Sequence, residues 1–243
     1  MPIVSMRLAA SLQRRRAEAG MAIGTHHSTE IAERTVLIDA AGVQLEGDLA
    51  VPAGARGLVM FAHGSGSSRL SLRNRYVAHE LRDGNLGTLL LDLLTPEEEQ
   101  IDSTRHLRFD ICLLADRLIG AMRWLDTEDE TRGLNVGLFG ASTGGAAALL
   151  AAARRPDRVD AIVSRGGRPD LAGDDLPLVR APTLLVVGGC DETVIQINQQ
   201  AMCRMKATVQ LEIVPGASHL FEEPGTLAEL AALSCDWFVR HLG

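Results

Sequence analysis

The apolar residues of this chain are gathered into short uninterrupted runs, and helix-patterned stretches lie between them. Gly57-Leu58-Val59-Met60-Phe61-Ala62 is one such run. A strand with one wet face alternates polar and apolar side chains. A run that is apolar throughout is buried on both faces, as in a parallel sheet covered by helices. Gly87–Leu94, Leu134–Phe139, Val159–Ser164, Thr183–Val187 and Val209–Val214 read as further strands of this sheet. Arg34–Asp39 and Val43–Val51, around Ala41-Gly42, read as an antiparallel opening pair. Helical spacing fills the gaps at Leu72–Arg82, Leu107–Leu125, an alanine-rich stretch ending at Arg154-Arg155-Pro156, Val194–Met205 and Leu227–His241. This alternation predicts an α/β fold: a mostly parallel, eight-stranded sheet with right-handed crossovers and helices on both faces. No internal repeat or long linker interrupts it, so residues 30–243 read as one domain.

Composition narrows the partners. Hydrophobic residues make up 46% of the 243 and aromatics only 3%, so the core is built from Ala, Val, Leu and Ile. Few aromatics and a net charge of −7 argue against base-stacking platforms, nucleic acid and anionic membrane surfaces. No apolar run reaches the ~18 residues of a membrane span. Cys112, Cys190, Cys203 and Cys235 lack metal-ligand spacing and read as free thiols, which predicts a cytoplasmic protein. Residues 1–29 carry Arg7, Arg14, Arg15 and Arg16 against the single acid Glu18, without the apolar core of a secretory signal. An extra helix, a disordered tail, or upstream sequence ahead of a start at Met21 are the readings of that extension. A homodimer is left open.

In such a sheet the functional groups lie beyond the carboxyl ends of the strands. Gly140-Ala141-Ser142-Thr143-Gly144 joins a predicted strand to a predicted helix, the context in which G-x-S-x-G is a nucleophile elbow. A serine hydroxyl needs a base to take its proton, and a histidine base needs a carboxylate to set its tautomer. The strand ending at Val187 runs into Gly188-Gly189-Cys190-Asp191, and that ending at Val214 runs into Pro215-Gly216-Ala217-Ser218-His219. Ser142, Asp191 and His219 thus reach one sheet edge in the order Ser, Asp, His. Asp191 is equally placed to cap the helix that follows. Asp170, Asp174 and Asp175 are rivals that precede the Thr183–Val187 strand.

A tetrahedral intermediate also requires donors for its oxyanion. The backbone N–H of Thr143 is one candidate. The second is the N–H of Ser65 in His63-Gly64-Ser65-Gly66-Ser67-Ser68, which follows the third strand. No Gly-Lys-Ser/Thr follows, so this glycine-rich loop does not read as a phosphate cradle.

His63-Gly64, the Gly140–Gly144 elbow, Asp191 and His219 resemble an α/β-hydrolase, and more narrowly the dienelactone hydrolase family, over roughly residues 33–243. The resemblance implies an α/β-hydrolase fold without a cap domain and a small-molecule ester substrate, with no cofactor and no metal. Founding members of that family carry a cysteine in the elbow, whereas this chain has Ser142. That departure turns the expectation from dienelactone towards ordinary carboxylic esters. Thioesters, peptides, acyl transfer, or a binding module without turnover are the alternatives. Arg69 and Arg165, with Arg73, Arg75 and Arg168, lie near the expected mouth, where a guanidinium suits a substrate carboxylate. Pairing with local acids such as Asp170 is the competing expectation. Glu97-Glu98-Glu99 reads as a solvated helix start, and Asp92–Phe109 follows a strand end without a readable role.

Overall fold

A computed structural model describes residues 31–243, so the N-terminal extension lies outside the described residues. The strands are β1 (Arg34–Ala40), β2 (Val43–Ala50), β3 (Leu58–Ala62), β4 (Gly87–Leu91), β5 (Val136–Ala141), β6 (Ala161–Arg165), β7 (Thr183–Gly188) and β8 (Val209–Val214). They form one eight-stranded sheet in the order β1-β2-β4-β3-β5-β6-β7-β8. β2 runs antiparallel to β1 and β4, and every other pairing is parallel. All residues of β3, β4, β5, β6 and β7 are buried, as their largely apolar character leads one to expect, and Thr88, Thr183, Ser164 and Arg165 are buried with them.

The helices are α1 (Leu72–Asp83), α2 (Pro96–Ile101), α3 (Ile111–Leu125), α4 (Thr143–Arg154), α5 (Glu192–Arg204) and α6 (Thr226–Leu242). One face of the sheet packs on α1 and α6 through Val77, Leu81, Leu230, Trp237 and Phe238. The other packs on α3 and α4 through Leu114, Leu118, Met122 and the alanines 146–148 and 151–153. Small side chains let α4 lie close to the sheet behind the elbow. Among the described residues, no insertion between strands is large enough to form a cap domain. No described helix is long and apolar enough to cross a membrane.

Several boundaries differ from the sequence expectation. The helix expected from Leu107 begins at Ile111, because the Asp110 side chain accepts the Leu113 N–H and caps it there. Leu107–Phe109 is a separate 3₁₀ turn. Pro169–Leu178 forms 3₁₀ turns broken at Gly173, whose positive φ of 60° interrupts the helical path. Glu98 is more than part of a solvated helix start. It completes a capping box with Thr95 and bonds at 2.6 Å to the buried guanidinium of Arg117, which also donates to the Ala40 carbonyl.

Candidate active site

The elbow is built by close backbone approach. Ser142 sits at φ 52°, ψ −118°, in a region that side-chain-bearing residues rarely occupy. Its N–H donates to the Arg165 carbonyl, and its own carbonyl accepts from Gly145 and Arg168. These bonds hold the strained turn between β5 and β6. The flanking glycines have a steric cause. A methyl group on Gly144 would lie 2.1 Å from the Ala62 carbonyl oxygen, and one on Gly140 would lie 2.5 Å from the Gly145 Cα. The elbow is thus wedged against the end of β3.

Two neighbouring strand ends bring Asp191 and His219 together. The Asp191 Oδ2 lies 2.6 Å from the His219 Nδ1. A carboxylate only accepts, so Nδ1 carries the proton and Nε2 remains available as a base. Asp191 occupies the N-cap position of α5, yet its side chain makes no capping bond. The carboxylate is committed to the histidine, which decides between the two roles the sequence allowed. Two of its three rivals are engaged elsewhere: Asp170 pairs with Arg168, and Asp174 with Arg204. The two loops are stitched by Cys190 N–H to Ala217 O at 2.9 Å and Gly189 N–H to Val214 O at 2.8 Å. Gly188 permits this, since a Cβ there would sit 2.5 Å from the carbonyl oxygens of Ala217 and Ser218. The Gly166 backbone lies beneath the imidazole, with its notional Cβ 3.2 Å from the His219 Cε1.

The loop bearing Ser65 is held along its length. The His63 Nδ1 donates to the Gly64 carbonyl at 2.9 Å, and its Nε2 accepts the Leu93 N–H at 3.1 Å. That arrangement requires neutral imidazole, and burial pulls the His63 pKa below its ordinary value. Arg108 donates to the Ser65 carbonyl, and the Arg69 N–H donates to Asp92 at 2.6 Å. Gly64 approaches Ser142 so closely that a Cβ would lie 3.2 Å from the serine Cβ. Thr143 is the first residue of α4, where a backbone N–H has no intrahelical acceptor. Gly64, Ser65 and Thr143 line one small niche. Beside it, a cleft of about 550 Å³ is bordered by Ser65, Ser67, Ser68, Ser71, Arg73 and Arg108.

The arginines separate into two groups. Arg69 is bound by Asp92, Glu46 and Asp48, so its charge is already met by the protein and it is not free to receive a substrate carboxylate. Arg75 pairs with Glu33 and Asp48, and Arg168 with Asp170. Arg165 differs. It is 6% exposed, stands above the Phe221 ring and donates weakly to the His219 carbonyl at 3.4 Å. Sequence reasoning missed three supports. The Glu223 carboxylate accepts the Ser218 N–H, Asn198 donates to the Gly167 carbonyl, and His63 braces the loop bearing Ser65. The His63-Gly64 pair marks the last of these in the sequence; nothing local marks the other two.

The strand order and the strand-end site define an α/β-hydrolase fold. Residues 95–237 match the dienelactone hydrolase family, and the chain belongs to that family. A crystal structure of a dienelactone hydrolase from Anabaena variabilis shares 57% identity and superimposes with a TM-score of 0.86, covering 88% of this chain and 100% of that one. Est1E from Butyrivibrio proteoclasticus has the same fold at 16% identity, with a TM-score of 0.72 over 85% of this chain and 98% of its own. Two Mycobacterium tuberculosis proteins carrying a provisional phosphoribosyl transferase name are 55% identical over 226 residues, which is 93% of this chain. The chain spans 50% of the length of those relatives.

Proposed function

We propose that this chain is a serine-dependent hydrolase of small carboxylic esters, acting in the cytoplasm without a cofactor. One observation carries the proposal: the 2.6 Å Asp191–His219 pair stands at the same sheet edge as a serine held at φ 52° on a strand-to-helix elbow, with the Arg165–Gly166 strand end touching both. In this reading the His219 Nε2 removes the Ser142 proton as Oγ attacks the acyl carbon. Asp191 stabilises the imidazolium that forms. The N–H groups of Thr143 and Ser65 receive the oxyanion. His219 then protonates the departing alkoxide. Water activated by the same imidazole releases the acid and restores Ser142.

The phosphoribosyl transferase name belongs to proteins of which this chain is half the length. To this half we assign acyl chemistry, because serine, imidazole and oxyanion donors serve attack at a carbonyl. The same machinery supports thioester cleavage, peptide cleavage or transfer to an alcohol, and product analysis with added alcohol separates transfer from hydrolysis. Replacing Ser142 with Ala should abolish turnover of p-nitrophenyl butyrate while the thermal transition stays in place. Retained turnover would sink the assignment.

A further inference from the structure

β8 leaves one edge of the sheet open. It pairs with β7 on one side, and among the described residues no strand pairs with the other. The Thr208 and Val214 carbonyls accept the N–H groups of Thr183 and Gly189, on the β7 side. Backbone groups alternate sides along a strand, so Gln210 and Glu212 also turn theirs to β7, and Val209, Leu211 and Ile213 turn theirs outward. Natural sheets guard such an edge with charge, proline or a bulge. The opposite edge strand, β1, carries Arg34 and Asp39. β8 carries a single charge, Glu212, and the Gln210 side chain donates to it at 2.6 Å. Val209, Leu211 and Ile213 share one face as an apolar row. Val209 packs on the core, whereas Ile213 is 42% exposed.

An edge with this pattern is complementary to itself. Let a second copy lie antiparallel, with Leu211 opposite Leu211. Outward-facing residues then meet outward-facing residues: Val209 faces Ile213 of the other copy, and Leu211 faces its own counterpart. Each such pair exchanges two N–H···O bonds, about six in all. The apolar row continues across the seam, so Ile213 of each copy is covered by Val209 of the other. On the opposite face Gln210 stands against Glu212, an amide against a carboxylate, and no two acids are directly opposed. Sliding the copies by two residues either way leaves about four bonds. One slide sets Glu212 against Glu212, and the other sets Gln210 against Gln210.

We infer that the protein forms a two-fold dimer in which β8 pairs antiparallel with β8 of a second copy, in the register that sets Leu211 opposite Leu211. The two sheets become one continuous sheet. The paired strands run in opposite directions, so their carboxyl ends, each followed by a His219 loop, leave the seam at opposite ends. Both candidate sites stay open, and the pairing does not depend on the ester-hydrolase reading. A strand pair of this length lies at the small end of specific interfaces, so dissociation in the range of about 1 μM is expected.

Sedimentation of the full chain from about 0.1 to about 100 μM should show a monomer–dimer equilibrium. Leu211→Pro removes an outward N–H and costs no bond to β7, as proline does on an edge strand. It should weaken the dimer about tenfold or more and leave p-nitrophenyl butyrate turnover per chain unchanged. Leu211→Lys sets two ammonium groups opposite each other, and serves if the proline variant does not fold. Cross-linking reads the register. Gln210→Cys and Glu212→Cys chains, mixed and oxidised, should form a disulfide between positions 210 and 212 of different copies, because directly opposed residues of this kind lie about 4.5 Å apart. Peptide mass spectrometry separates that bond from those of the native cysteines. If either variant linked to itself at the new position in place of the mixed product, the register would be wrong and the proposal overturned. A chain that stays monomeric throughout would overturn it, as would a dimer that neither Leu211 variant weakens. Slow hydrogen exchange at Val209, Leu211 and Ile213 in a monomer would overturn it too, since another segment of the same chain would then hold this edge.

Discussion

Replacing Gly144 with Ala tests whether close approach of strand and elbow builds the site. The added methyl group would stand 2.1 Å from the Ala62 carbonyl oxygen and 2.6 Å from the His63 oxygen, against the 3.4 Å at which ordinary contact begins. Both atoms are backbone, and Ala62 is paired in the ladder with Gly140 and Leu91, so neither moves aside cheaply. Overpacking of this kind costs about 3 kcal/mol, and better helix propensity offsets up to about 1 kcal/mol of it. A net loss of about 2 kcal/mol should lower Tm by about 4–8 °C in a domain of this size. Relief of the clash must separate the Ser142 elbow from the His63–Ser65 loop. A displacement of about 1 Å there should reduce kcat about a hundredfold. Gly66→Ala is the control for stability, since no atom lies within 4 Å of its notional Cβ. Thermal unfolding and p-nitrophenyl butyrate turnover measure the two effects. If Gly144→Ala melted with Gly66→Ala and turned over normally, the steric account of the elbow would be wrong.

Asp191→Asn preserves shape but removes the charge and permits the wrong imidazole tautomer, so kcat should fall by about 10⁴ with little change in Tm. A loss under tenfold would reduce Asp191 to a helix-start residue. His63 is held neutral below its ordinary pKa of 6.5 by burial. The unfolded chain therefore takes up this proton more readily than the folded one, and stability should decline as pH falls from about 6.5. His241, whose pKa is lowered by burial and by Arg240, contributes in the same direction, so Tm is best followed from pH 8 to 5 in His241→Gln. A level Tm across that range would show that His63 is not held neutral. Arg117→Ala strips the partner from Glu98 and from the Ala40 carbonyl, and should cost about 3 kcal/mol in urea denaturation. An unchanged midpoint would return Glu98 to the solvated surface.

Much of this was legible along the chain, for local reasons. A strand buried on both faces is apolar at almost every position, so β3 and β5 announce themselves within six residues each. Strand ends in a parallel sheet share one edge, so Ser142, Asp191 and His219 could be assembled from order alone. Boundaries were less legible, because they depend on single side chains choosing partners. Asp110 ends the Leu107–Phe109 turn and starts α3 by accepting one N–H. Pro169–Leu178 has no apolar period to betray it.

The arginines mark where linear reading stops. Arg69 and Arg165 both follow strand-end glycines or serines, and charge patterning alone treats them alike. Only folding places Asp92, Glu46 and Asp48 around the first and leaves the second buried without an acid. Asp191 carried the same ambiguity between helix cap and histidine partner, and in the fold its carboxylate makes no cap bond and pairs with the His219 Nδ1. The sequence by itself determined the sheet, the elbow and the order of the candidate catalytic residues, because periodicity and backbone sterics act within a few positions. The tertiary structure decided which charges are answered, because an ion pair depends on distance through space, and the residues that meet Arg69 lie on β2 and just beyond the end of β4.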